Sequence, residues 1–149
     1  MNCSDVIRER RSIRKYKADV TIPKKDFEKM LEAAMMAPSA CNTRPWEFYV
    51  VTNREIITKL QKAHPYTSML SSASAAIVVC GRPDLQEGVC NGYWLRTAEL
   101  PSKIFSFRQK SSDTAPAGAA AIPSWTGWKQ CRNCCRLPAF RWQSSPLAG

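Results

Sequence analysis

No hydrophobic run in this 149-residue chain approaches the roughly 20 residues that cross a bilayer as a helix. The longest, around Ile77 to Cys80 and Ala117 to Ile122, fall far short. The N-terminus, Met1-Asn2-Cys3-Ser4-Asp5, has no apolar stretch of the signal-peptide kind. Both absences argue against a membrane-spanning or secreted protein, and the expected compartment is cytoplasmic. Histidine is nearly missing. The single one, His64, sits in a polar loop with no Ser, Cys or acid fixed beside it by motif, so a hydrolytic triad has no support. It also lies far in sequence from Cys131-x-x-Cys134-Cys135. That cluster lacks a fourth zinc ligand, and chance is the simpler reading. No metal is expected. No internal repeat is present.

Acidic residues are scarce, with 12 Asp+Glu against 22 Lys+Arg, a formal charge of +10. The excess is uneven. Residues 1–94 hold 14 basic and 10 acidic residues, a net of +4, and residues 95–149 hold 8 and 2, a net of +6. The seven cysteines are odd in number, which argues against a fully paired disulfide scaffold and for reduced thiols. Cys41, Cys80 and Cys90 read most simply as small buried apolar residues.

What is there is patterned as far as Trp94. Ser4 can cap a short helix over Asp5 to Arg10. A second helix follows Thr21-Ile22-Pro23. Its apolar residues Phe27, Met30, Leu31, Ala34 and Met35 recur at helical spacing, and Lys25, Asp26, Glu28, Lys29 and Glu32 fill the other face. Pro38 ends it. Trp46 to Thr52 is aromatic and β-branched, hence a strand. Asn53 can cap a third helix carrying Ile56, Ile57 and Leu60. Ala75 to Cys80, closed by Gly81, reads as a buried strand. Interleaved helices and strands imply a mixed α/β or α+β fold. After Trp94 the pattern breaks. Pro101, Pro116, Pro123, Pro138 and Pro146 interrupt the segment, and only a short helix near Lys103 to Lys110 is expected. The stretch from Ser111 to Ala119 is low in complexity, and the expectation is a basic, poorly ordered tail.

Two constellations could carry chemistry. Arg10-Arg11-Ser12-Ile13-Arg14 places three guanidiniums and a hydroxyl past a helix end, which can grip a phosphate. Taken alone, a solvated basic turn is the simpler reading. The loop Pro38-Ser39-Ala40-Cys41-Asn42-Thr43-Arg44-Pro45 is stiffened by two prolines. It could hydrogen-bond the edge of a planar heterocycle, or it could be an ordinary helix-to-strand connection. The tail's basic residues with Trp125, Trp128, Phe140 and Trp142 could bind nucleic acid. With no ordered scaffold presenting them, that is a minority reading.

The run Arg10-Arg11-Ser12-Ile13-Arg14-Lys15-Tyr16, the helix ending Met36-Ala37-Pro38-Ser39-Ala40, and Asn42-Thr43-Arg44-Pro45-Trp46-Glu47-Phe48 together resemble the FMN-dependent nitroreductase family. The resemblance runs from Val6 to Trp94. It implies an α+β fold, a nitroreductase-like sandwich of a mixed sheet with helices, incomplete here. It also implies a homodimer with FMN at the subunit interface. By that resemblance Arg10, Arg11, Ser12 and Arg14 hold the FMN phosphate and ribityl end. Pro38, Ser39, Ala40 and Asn42 lie against the flavin ring. Arg44 stands where many members have glutamine. The implied reaction is ping-pong: NAD(P)H reduces the flavin, which reduces a nitroaromatic, quinone or similar acceptor. The flavin carries this chemistry, so no side chain is expected as catalytic acid, base or nucleophile.

The family's central helix, glycine loop and closing strand are not recognisable from Leu95 onward. Back-translating Leu95 to Ser106 with permitted codons and shifting the frame allows A-D-C-G-A-A-I-E-N-I-L-L, which resembles that helix. Asp113 to Ile122 likewise allows Y-G-T-G-W-C-G-G-Y, resembling the glycine loop. Pro123 to Cys135 allows an amphipathic helix, and Leu137 to Ala148 a buried strand. Four matches in family order lead to the expectation that residues 1–94 are the N-terminal part of an FMN domain. Residues 95–149 are then an out-of-frame tail, whose loss of the central helix uncovers the sheet. An inactive remnant without stable flavin binding is the alternative.

Overall fold

A computed structural model of the chain describes residues 2–17, 20–63, 66–111, 119–123 and 140–142. His64, the three cysteines of the 131–135 cluster, and the low-complexity stretch from Ser112 to Gly118 lie outside the described residues.

The first helix, α1 (Cys3–Glu9), starts before the expected Asp5. Asn2, not Ser4, caps it: the Asn2 side chain accepts from the Asp5 amide, and the Asp5 carboxylate accepts from the Asn2 amide. This reciprocal pair satisfies two donors at once, which a Ser4 cap would not. The second helix, α2 (Lys24–Met35), buries Phe27, Met30, Leu31 and Ala34, as its spacing predicts. Strand β1 (Trp46–Val51) follows. Asn53 caps α3 (Arg54–Ala63), its side-chain oxygen accepting from the amides of Glu55 at 2.8 Å and Ile56 at 3.3 Å. Strand β2 (Ala75–Gly81) is buried along its whole length.

Past Trp94 the structure departs from the expectation. An 18-residue helix, α4 (Trp94–Ser111), occupies the segment where only a short helix is expected. Pro101 lies inside it. The ring removes one helical N–H, normally a cost of about 3 kcal/mol. Packing compensates. Thr97, Pro101 and Phe105, spaced four apart, are buried, and Leu100 and Ile104 pack against the same core. Strands β3 (Ala119–Pro123) and β4 (Phe140–Trp142) complete a four-stranded sheet in the order β3-β2-β1-β4. β1 runs antiparallel to β2 and β4, and β3 runs parallel to β2. The sheet is therefore mixed.

The strand period of two divides the core. Trp46, Phe48 and Val50 with Ala75, Ile77 and Val79 face α2 and α4. Val51 with Ala76, Val78 and Cys80 faces α3 and the turn Ser68–Ser71, together with Ile56, Ile57 and Leu70. The result is helix, sheet, helix. Phe105 meets Phe48 edge to face, with ring centroids 5.7 Å apart at 89°. Residues 94–106 thus cover a sheet face that the frame-shift reading leaves bare. At the entry to α4, the Trp94 ring lies over Gly81, where an added Cβ would come within 2.4 Å of it.

Candidate functional site

The basic segment leaves α1 at Arg10, the C-cap residue, in extended conformation. Arg11, Ser12 and Arg14 are exposed, and Arg10 is half-buried. Among the described residues, none of the three arginines pairs with a carboxylate. Arg11 curls back, one guanidinium nitrogen donating to the carbonyls of Arg8 at 2.7 Å and Arg10 at 2.9 Å. The segment is pinned at Tyr16. Its amide donates to the Ser72 hydroxyl at 3.2 Å, and its phenol donates to the Ile13 carbonyl at 3.1 Å. Burial raises the Tyr16 pKa, and the nearby Arg14 charge partly opposes this.

The loop is fastened far more tightly. It contains a short 3-10 turn, Ala40–Asn42, and three non-glycine residues in the left-handed region: Cys41 (φ 52), Asn42 (φ 53) and Arg44 (φ 45). Such residues persist only where their surroundings hold them. The holders are visible. The Ser39 hydroxyl accepts from the Arg44 amide at 2.9 Å, and the Thr43 hydroxyl donates to the Ala40 carbonyl at 2.9 Å. The Gln86 amide group donates to the Thr43 hydroxyl at 2.9 Å, and the Arg82 amide donates to the Pro45 carbonyl at 2.9 Å. Ser39 thus serves the loop's own backbone. Pro38 and Asn42 are exposed, and Ala40 is half-buried.

Cys41 is joined to Cys90 by a disulfide, with Cα atoms 6.9 Å apart across 49 residues of sequence. This corrects the expectation that Cys41, Cys80 and Cys90 are all reduced, buried and apolar. Cys80 is buried, as expected; Cys41 is exposed. At the foot of the loop, buried Glu47 accepts from Arg82 at 2.6 Å and from the Tyr49 hydroxyl at 2.8 Å. Arg82 also donates twice to Asp84, at 2.8 and 2.6 Å. These partners hold the guanidinium charged and raise its pKa, Asp84 most strongly.

Gln86, Arg82 and Cys90 are the site residues that sequence reading missed. Their partners in the loop and in β1 lie 35 to 49 residues away, and no local spacing signals them. Among the described residues no hydrogen bond or ion pair links the arginine segment to the loop; each is attached to the body separately. A cavity of about 360 Å³ lies elsewhere, between α2, the end of β1 and the start of α3, lined by Ile22, Phe27, Val50 and Ile56 among others. No described helix is long and apolar enough to cross a membrane, and no described group of three or more His, Cys, Asp or Glu could hold a metal ion.

A mixed sheet between helical layers, with a basic segment and a rigid helix-to-strand loop, defines an α+β domain with two candidate binding elements. The sequence model of the Nitroreductase family matches residues 7–131, and the chain belongs to that family. The match continues past Trp94. A Methanothermobacter thermautotrophicus protein, provisionally named an NADH dehydrogenase/NAD(P)H nitroreductase, is 41% identical over 127 residues, which are 85% of this chain and 61% of that protein. An FMN-dependent nitroreductase from Clostridium difficile superposes with a TM-score of 0.63 at 31% identity, covering 72% of this chain and 60% of that one. A protein from Exiguobacterium sibiricum, provisionally named a nitroreductase and solved with FMN, shares the fold at a TM-score of 0.64 and 20% identity, over 74% of this chain and 70% of its own. The chain therefore spans about three fifths of the length of the Methanothermobacter relative. The fold is that of nitroreductases, present in part.

Proposed function

We propose that the chain is built as an FMN-dependent oxidoreductase driven by NAD(P)H, cytoplasmic and homodimeric. The observation that carries this is the loop Ser39–Arg44, held left-handed at three non-glycine positions with Ala40 to Asn42 at its tip. A loop so fixed can present backbone groups to a planar ring without ordering them on binding. The exposed arginines fit a phosphate, because among the described residues no carboxylate competes for them. Arg10, Arg11, Ser12 and Arg14 would hold the phosphate end, and Pro38, Ser39, Ala40 and Asn42 the ring. The chemistry supplied by bound FMN is two-electron transfer in a ping-pong cycle, from NAD(P)H to a nitroaromatic, quinone or similar small acceptor. The chain's own residues bind, orient and shield. That no hydrogen bond or ion pair joins the two elements among the described residues is in keeping with a site completed by a second copy.

Titration of the purified protein with FMN, followed by quenching of flavin fluorescence, tests this. Saturable binding near one FMN per chain is expected, weakened in an Arg10→Ala/Arg11→Ala variant. Absence of saturable binding in a folded protein overturns it.

One specific observation favours a second reading, an inactive remnant: the four family-like segments recovered from residues 95–149 by shifting the frame. On that reading the glycine loop is absent and FMN binds weakly or not at all. The coding DNA across the Trp94 codon decides. A single insertion or deletion there that restores the family pattern supports the remnant, and an intact frame rejects it. Most of the tail's basic excess is then an accident of frame, which weighs against nucleic acid as a partner.

A further inference from the structure

The Cys41–Cys90 pair sits where it can control the loop. Cys41 occupies the exposed tip of the Ala40–Asn42 turn at φ 52. Cys90 belongs to the segment that supplies the loop's other fasteners. Its amide donates to the Gln86 carbonyl at 3.2 Å, and Gln86 reaches Thr43. Disulfide and hydrogen bond therefore run in parallel from one turn to one loop. Without the disulfide, Gln86 is the remaining described side-chain tie between that turn and the loop tip. Left-handed non-glycine residues relax when their restraint is removed.

We propose that Cys41 and Cys90 form a reversible redox clasp, closed by low-molecular-weight disulfides and opened by thiols, that sets the rigidity of this loop. Closure is thiol–disulfide exchange. The Cys41 thiolate attacks oxidised glutathione, giving a mixed disulfide and releasing one glutathione thiolate. The Cys90 thiolate then attacks the Cys41 sulfur and releases the second. The protein loses two protons and two electrons, and one oxidised glutathione becomes two reduced. Exposed Cys41 is the entry point. In a reducing compartment the pair rests as thiols and closes on oxidation. The clasp stands on the structure alone, but its consequence for a cofactor rests on the reading proposed above.

The experiment equilibrates the full chain in glutathione buffers from fully reduced to fully oxidised. Peptide mapping with differential alkylation then follows all seven cysteines, and amide exchange follows residues 39–46. A 41–90 cross-linked peptide is expected to rise with oxidation, with Asn42, Thr43 and Arg44 exchanging about tenfold more slowly in the closed form. In Cys90→Ser, Cys41 is expected to stop at the glutathione adduct and the loop to stay fast-exchanging. FMN titration of both forms is a separate arm. If neither form binds FMN but the cross-link and the exchange difference persist, the clasp stands and the flavin reading fails. If Cys41 and Cys90 never pair in a protein folded by circular dichroism, or if pairing leaves loop exchange unchanged, the clasp is wrong.

Discussion

The two elements of the candidate site are built by opposite means. The loop from Pro38 to Pro45 carries one charge, Arg44, and is fastened at five points by Ser39, Thr43, Gln86, Arg82 and the disulfide. The segment from Arg10 to Lys17 carries five charges and is held chiefly through Tyr16. The contrast follows from what each would recognise. Hydrogen bonds to a flat ring are directional, so their donors and acceptors must be placed beforehand. A phosphate is met by charge, and flexible guanidiniums can adjust to it. Rigidity in the first and density of charge in the second are therefore separate requirements, and variants can break them separately.

The largest effect is expected at the foot of the loop. Arg82→Ala removes the cation facing Glu47, whose side chain is only 6% exposed. A buried carboxylate that loses its cation costs about 3 kcal/mol, even with the Tyr49 hydroxyl still donating to it. Denaturant unfolding should show that loss, while Asp84→Ala, at an exposed partner, should cost under about 1 kcal/mol. Equal effects would mean that the Glu47 pair is not the anchor. Gln86→Ala comes next. It empties a fully buried site and drops the tie to Thr43, at about 2 kcal/mol. Its signature is local: amide exchange should quicken at Thr43 and Arg44 and stay unchanged in α2.

The arginine segment should respond the other way. Arg11→Ala/Arg14→Ala removes exposed side chains without carboxylate partners among the described residues, so stability should move by no more than about 0.5 kcal/mol. Affinity for FMN should fall at least about tenfold, the worth of a single charge-assisted hydrogen bond. A large stability loss with unchanged affinity would reverse the roles assigned to the two elements.

Legibility in the sequence follows the range of the interactions. α2, the Asn53 cap and β2 carry local signals, and the 3.6-residue period, the cap residue and the apolar run announce them. α4 was hidden by Pro101. A breaker inside a helix reads as an end, yet the buried stripe Thr97, Pro101, Phe105 holds it against the sheet. Tertiary burial outweighed local propensity there. In the site, the arginines are legible as charge because charge is a property of composition. The left-handed loop is not, because it uses Cys, Asn and Arg where glycine would have signalled it. Gln86 and Cys90 are invisible until the fold brings them to the loop.

The smallest effect probes the Tyr16 anchor of the basic segment. The neutral Tyr16 phenol donates to the Ile13 carbonyl, and burial lifts its pKa above the usual value near 10. A raised folded-state pKa means that folding favours the protonated phenol. The stabilisation is whole below pH 10 and is lost as pH climbs through the folded-state value. Tyr16→Phe keeps the ring against Val51, Ile57 and their neighbours but removes the hydrogen bond, costing about 1 kcal/mol at neutral pH. The variant should also lose its share of the alkaline decline, so wild type and variant converge as pH rises past 10. Chemical denaturation at pH 7 and above pH 10 measures both. Parallel curves with no convergence would show that the phenol is not the pin, and the bond from the Tyr16 amide to Ser72 would take that role.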